Sequence, residues 1–441
     1  MQFDPSRQQP ANERPTRRSQ TTFGGRSTAL AGALAVALTL AGCGGGDDND
    51  VEVPAARGAA PLALPGPHAI ACSNVAQDFA RVPSGSGEAE DYWEGRPAAD
   101  GTPRYVADLL TDPVNTLSVT VTAPNDTNLF GSIAGKPVGF AVLVCYPTTA
   151  DNPRPDFSLP SGQFVPHMHI GTEAPLFADA SSRYPVLAFS HGLAGSPLSE
   201  EHLLVLSWLA SYGYVVVAPF HGDPRIANLE IDDFGDAVTV LSRLSDAVAM
   251  QALRPLSMTA ALDLVLAHPQ WRDHVDATQI GGFGASLGGE TMMLMGGAAL
   301  TTSPGLASSP VGADRRIKAA VGYVPYFGQP LLPAFGRDQV GMDSVTLPYL
   351  AIGGTADTTA PLALMQQGMA RLAGPRVLVS LGGVVHGFDQ PSAPDTLTWT
   401  LTFLDAQVRG LPSARTQLKA MTHVDGGGDD RVVIPWNGPG P

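Results

Sequence analysis

Gln279-Ile280-Gly281-Gly282-Phe283-Gly284-Ala285-Ser286-Leu287-Gly288 is an apolar run that closes in a Gly-x-Ser-x-Gly turn and leads into a stretch rich in Met and Leu. The pattern predicts a strand, a tight turn carrying Ser286, and a helix. Glycines two residues to either side of the serine let the backbone and the helix pass without a Cβ clash. The hydroxyl is left bare at a helix N-terminus, where the dipole and unpaired N–H groups favour the negative charge that develops when an ester carbonyl is attacked. With 49 glycines in the chain, the motif alone reads equally well as an ordinary Gly-rich turn. The chemistry therefore depends on the residues that accompany the serine.

Working outward, short apolar runs recur at 138–144, 186–189, 214–218, 280–283, 319–324, 349–352 and 377–381. Helical periodicities lie between many of them. Glu200-Glu201 open one helix with Leu203, Leu206 and Ala210 on one side, and Met258, Leu262 and Val265 mark another that stops at His268-Pro269. In the last, Leu397, Leu401, Leu404 and Val408 repeat between Pro394-Asp395 and Gly410. Strands too apolar to face water on either side, alternating with amphipathic helices, predict an α/β fold with a mostly parallel sheet covered on both faces. Residues 222–255 interrupt the alternation and are read as a helical lid over the site or as a surface excursion.

An acid and a base follow the serine in the order such a site needs. Asp357 stands just past the apolar run 349–352, 71 residues after Ser286, and His386 emerges 29 residues later from the loop after 377–381. Functional groups gather at that end of parallel strands. His423 is the other histidine after Asp357, but it lies beyond the last helix in a Gly/Asp tail, so His386 is the expected base. It would take the Ser286 proton, with Asp357 fixing its tautomer and steadying its charge. Phe189-Ser190-His191-Gly192-Leu193-Ala194-Gly195 supplies a loop for an oxyanion, with the backbone N–H groups of Leu193 and Leu287 as expected donors and His191 ordering the loop. His167-Met168-His169 has no third ligand at a recognisable spacing and reads as a solvated turn. No metal and no cofactor are expected.

Cys145-Tyr146-Pro147, Ser190-His191-Gly192-Leu193, Gly284-Ala285-Ser286-Leu287-Gly288-Gly289, Asp357 and His386 together resemble serine α/β-hydrolases. They are most similar to the group containing platelet-activating-factor acetylhydrolases, dienelactone-hydrolase-like proteins and bacterial polyester hydrolases. The resemblance covers roughly residues 138–410 and implies an α/β-hydrolase fold and a carboxylic-ester hydrolase working through an acyl-enzyme. A serine where dienelactone hydrolases carry cysteine moves the expectation toward carboxylic esters. The same resemblance implies that Tyr326, after the run 317–324, walls the acyl pocket. Polyester hydrolase and acetylhydrolase-like activity are alternatives within this chemistry, amide hydrolysis differs from it only in pocket and lid shape, and a non-catalytic surface lipoprotein is the alternative from another class.

The ends of the chain carry separate information. Arg14, Arg17, Arg18 and Arg26 precede an Ala/Leu-rich stretch, 29–40, ending Leu40-Ala41-Gly42-Cys43. This resembles a bacterial lipoprotein signal, residues 1–42, with Cys43 acylated after cleavage and the protein tethered to a membrane of the cell envelope, at the outer membrane or the periplasmic face. Residues 43–67 read as a flexible spacer, 68–137 as an N-terminal extension and 411–441 as a solvated acidic tail. The formal net charge is −15, and it becomes −18 without the five Arg and two acidic residues of the signal. Nucleic acid is therefore not an expected partner, and neutral small-molecule, lipid or polymer esters suit the field better than polyanions. Cys72 and Cys145 remain, and in an oxidising compartment a bridge between them is expected, with two buried thiols as the alternative.

Overall fold

A computed structural model describes residues 57–73, 110, 114–159, 163–193, 195–223, 226, 243–302, 307–329 and 334–439. Its centre is a ten-stranded sheet. In chain order the strands are β1 (Ala69–Ser73), β2 (Ser118–Thr122), β3 (Pro137–Thr148), β4 (Tyr184–Ser190), β5 (Val215–Pro219), β6 (Val275–Ala285), β7 (Ile317–Tyr323), β8 (Tyr349–Gly354), β9 (Arg376–Leu381) and β10 (Asp430–Ile434). Across the sheet the order is β10-β9-β8-β7-β6-β4-β5-β3-β1, with β2 also paired to β3. The six strands from β9 to β5 are parallel, whereas β10, β3, β1 and β2 pair antiparallel. The protein is thus α/β with a mostly parallel sheet, as the unbroken apolar runs predict.

Successive residues of the inner strands feed opposite faces. Leu187 and Phe189 join one core with Val216 and Ala218, while Val186 and Ala188 join a second with Val215 and Val217. Helices α1 (Glu200–Ser211), α5 (Ala393–Gln407) and α6 (Pro412–Ala420) cover the first core; α2 (Leu244–Ala267), α3 (Leu287–Met295) and α4 (Leu362–Arg371) cover the second. Leu397, Leu401 and Leu404 of α5 are buried together, which is why their spacing was legible. From β4 the chain crosses to β5 on one side and then to β6 on the other. The crevice at the C-terminal ends of β4 and β6 is therefore where the strand order reverses, the place at which open α/β sheets hold their functional groups.

Four boundaries differ from the sequence reading. The extension joins the sheet as β1 and β2, and β1 is bonded to β3 by a Cys72–Cys145 disulfide at a directly opposed pair. The Cys72 N–H and carbonyl both turn away from β3, toward Pro166 and His169. Cys72 and Cys145 thus form a non-hydrogen-bonded pair, whose side chains are the closer of the two kinds. The last part of the spacer is ordered: Arg57–Ala59 pair parallel with Met421–Val424, and Gly66 N–H donates to Ser211 Oγ at 2.7 Å. The tail is folded as α6, that strand and β10, whose Val432 packs against the first core and Val433 and Ile434 against the second. Finally, Leu244–Pro255 are continuous with the rest of α2 and carry buried Val248, Ala252 and Leu253 on the second core, while all of 224–242 but Ile226 lies outside the described residues. Among the described residues no helix is long and apolar enough to cross a membrane, and Cys43 lies outside them.

Candidate active site

Ser286 sits between β6 and α3 with φ 52° and ψ −117°. A left-handed backbone costs a residue with a Cβ about 1–3 kcal/mol, so surrounding contacts must impose it. Its N–H donates to the Tyr323 carbonyl at 2.9 Å and its carbonyl accepts from Tyr326 N–H at 3.0 Å, tying the turn to the end of β7. The flanking glycines are steric necessities. A methyl at Gly284 would overlap the Gly288 carbonyl, and one at Gly288 would overlap the carbonyl of Ser190 on β4.

The structure brings Asp357 and His386 to this serine. His386 Nε2 lies 2.8 Å from Ser286 Oγ, and His386 Nδ1 lies 2.8 Å from Asp357 Oδ2. The other carboxylate oxygen, Oδ1, accepts the N–H groups of Thr359 at 2.9 Å and Ala360 at 2.8 Å. A carboxylate oxygen only accepts, so the imidazole proton belongs on Nδ1, facing Asp357 Oδ2, and the Nε2 lone pair faces the serine hydroxyl. Asp357 is fully buried at its side chain while His386 is one quarter exposed, so the chain runs from the interior to a reachable surface. His423, the alternative base, lies elsewhere and pairs with Asp425 at 3.2 Å.

The His386 loop is braced by residues the sequence reading did not single out. Tyr323 donates its hydroxyl to the Gly387 carbonyl at 3.0 Å, and Glu201 Oε2 accepts Phe388 N–H at 3.1 Å. Burial pushes the Glu201 carboxyl above its ordinary range. The loop turns through Gly383 and Gly387, both at positive φ.

Leu193 and Leu287 flank the serine as expected. Leu287 is the first residue of α3, whose N–H has no intrahelical acceptor. Among the described residues, neither the Leu193 nor the Leu287 N–H has a protein acceptor. A Cβ built on Gly192 would come within 3.6 Å of the Ser286 Cβ, so the loop after β4 lies against the serine. Ala247, Met250 and Leu287 form a small apolar cluster with Leu193, Ile226 and Tyr326 packed against it, and the last two join it to the second core. Tyr326 is thus beside Ser286.

Beneath that loop is a buried polar network that the sequence reading missed apart from His191. Arg254 of α2 pairs with Asp223 through Nε at 3.0 Å and through a second, shorter contact, and both side chains are almost wholly buried. His191 Nε2 accepts His221 N–H at 3.1 Å, and His221 bonds Ser190 and Ser257 through its two nitrogens. Burial holds His191 and His221 well below the usual imidazole range and His202 down to about 4, so all three are neutral at pH 7. Two signals were present: a lone arginine in the apolar stretch 247–266, and His221-Gly222-Asp223 directly after a strand. His169 also departs from expectation. It is buried, 3.0 Å from the Tyr146 hydroxyl, because the 163–170 loop runs along the edge of β1 that faces away from β3.

No model of a known protein family matches the chain, and none of the curated proteins compared matches it.

Proposed function

We propose that the protein is a serine hydrolase of carboxylic esters with an α/β-hydrolase fold, tethered to a bacterial envelope membrane through Cys43. The observation that carries the reading is the unbroken Ser286–His386–Asp357 chain, with both links at 2.8 Å, at the reversal point of the sheet. Ser286 Oγ attacks the ester carbonyl carbon as its proton passes to His386 Nε2. The carbonyl oxygen becomes an oxyanion that accepts the N–H groups of Leu193 and Leu287, both of which lack a described protein acceptor. Collapse of the tetrahedral intermediate breaks the bond to the alcohol oxygen, which takes the proton from Nε2 and departs, leaving the acyl group on Ser286. Water repeats the sequence, giving its proton to His386, and the carboxylic acid leaves.

The apolar cluster of Leu193, Tyr326, Met250 and Leu287 beside the serine supports an acyl group rather than a charged one as its occupant. Net negative charge further supports a neutral ester. Hydrolysis of p-nitrophenyl esters of increasing acyl length, beside Ser286→Ala, tests the reading. Loss of several orders of magnitude in the variant is expected. Unchanged hydrolysis would refute the nucleophile, and no hydrolysis of any ester or anilide by the parent would favour a non-catalytic lipoprotein. Membrane sedimentation that persists in Cys43→Ser would remove the tether.

A further inference from the structure

We infer that Arg254 is a positioning residue for the oxyanion site, a clamp that fixes the plane of the Gly192–Leu193 peptide and so aims the Leu193 N–H. The inference rests on the hydrolase reading and extends it to a buried residue that touches neither substrate nor triad. Arg254 is 1% exposed. Its Nη1 donates to the His191 carbonyl at 2.6 Å and its Nη2 to the Gly192 carbonyl at 2.9 Å, while Asp223 holds the rest of the guanidinium. In an extended chain successive carbonyls alternate sides. Two consecutive carbonyls on one planar fork therefore define a turned backbone at Gly192.

A trans peptide places each N–H opposite the carbonyl it shares a plane with. The Gly192 N–H accordingly points away from the guanidinium and meets His202 Nε2 at 3.3 Å. That acceptor is available because His202 Nδ1 lies 3.0 Å from the Ser196 carbonyl and must carry the ring proton. The next N–H, that of Leu193, also points away from Arg254, but no described protein acceptor meets it. The Gly192 carbonyl is held twice, since His191 Nδ1 lies 2.8 Å from it and donates as well. Rotating that peptide to turn the Leu193 N–H away from the site would break both hydrogen bonds and leave a buried guanidinium edge unmatched.

A lysine has one nitrogen and cannot hold two carbonyls and a carboxylate in a plane. The test compares Arg254→Lys, and a charge-neutral Asp223→Asn/Arg254→Met pair that leaves no lone buried charge, with the parent. kcat is measured per active site counted from the p-nitrophenol burst, with the affinity of a boronic acid, which forms a tetrahedral adduct on the serine. The clamp predicts that kcat falls about 100-fold, the cost of losing one oxyanion donor. Boronate affinity should fall with it, while KM and the pH profile of kcat stay as in the parent. A purely structural role would lower thermal stability and the number of active sites but leave kcat per site and boronate affinity intact. That outcome, in either variant, overturns the inference. If Ser286→Ala is inactive and the Arg254 variants turn over normally, the clamp alone fails; if Ser286→Ala remains active, the hydrolase reading fails instead.

Discussion

Replacing Asp357 with asparagine should disable the site by moving one proton. The asparagine has the shape of the aspartate but only one acceptor oxygen. Two backbone N–H groups, from Thr359 and Ala360, already point at the Oδ1 position, at 2.9 and 2.8 Å. The amide oxygen must settle there, since an NH2 group in that place would face two donors. Its NH2 then meets His386 Nδ1, where the carboxylate now accepts at 2.8 Å. To accept that donor, Nδ1 must give up its proton and the imidazole must carry it on Nε2, facing Ser286 Oγ. An imidazole in that tautomer cannot take the serine proton, and a triad with the wrong tautomer loses about 10,000-fold in kcat. Such a loss corresponds to about 5 kcal/mol of transition-state stabilisation. The assay is steady-state hydrolysis of a short p-nitrophenyl ester at neutral pH, with KM recorded alongside kcat and folding checked by thermal melting. A variant that folds like the parent and turns over within about tenfold of it, about 1.4 kcal/mol, would refute the reasoning.

Three further expectations concern stability. Burial lowers His169 to about 4, so between about pH 6.5 and 4 the unfolded chain binds a proton that the folded chain refuses, and stability falls as pH falls. His169→Gln should remove about 1.4 kcal/mol per pH unit from the acid limb of urea melts, and an unchanged limb would contradict this. Glu290 works in the opposite direction: burial raises it to about 8, so the folded carboxyl stays protonated where the unfolded one ionises, and stability falls as pH rises from about 4.5 to 8. Glu290→Gln should flatten that decline and melt higher than the parent at alkaline pH; a lower melting point there would contradict the assignment. The Cys72–Cys145 bridge closes a loop of 73 residues. Chain entropy makes that bond worth about 4 kcal/mol, so the Cys72→Ala/Cys145→Ala pair should lower the urea midpoint markedly in oxidising buffer, and an unaltered midpoint would be the contrary result.

The central sheet and the three-residue chain were legible because each strand and each of the three residues carries its own local signal. Apolar runs such as 186–189 and 349–352 are buried on both faces, so composition alone marks them. Ser286 lies inside its own motif, and Asp357 and His386 each follow directly from a strand end. The edges of the sheet were not legible. β1 and β10 are short strands whose partners lie about 50 to 80 residues away in sequence, and Gly/Asp-rich surroundings hid Val432 and Ile434. The network around Arg254 was hidden for a different reason. Its members come from the ends of β4 and β5 and the middle of α2, so only the crossover that sets those elements side by side reveals what the arginine is for. Residues 244–255 stayed ambiguous because an apolar helix reads the same whether it covers a site or a sheet, and this half of α2 does both, with Val248 and Leu253 in the second core and Met250 against Leu287.

The most direct test of the account is to trap the intermediate. Turnover of p-nitrophenyl butyrate is quenched in acid within the burst and the peptides are mapped by mass spectrometry. The account predicts a butyryl ester on Ser286, present at the first time points and lost once substrate is exhausted. A butyryl group on another residue, or steady hydrolysis with a burst but no acylated Ser286, would contradict it.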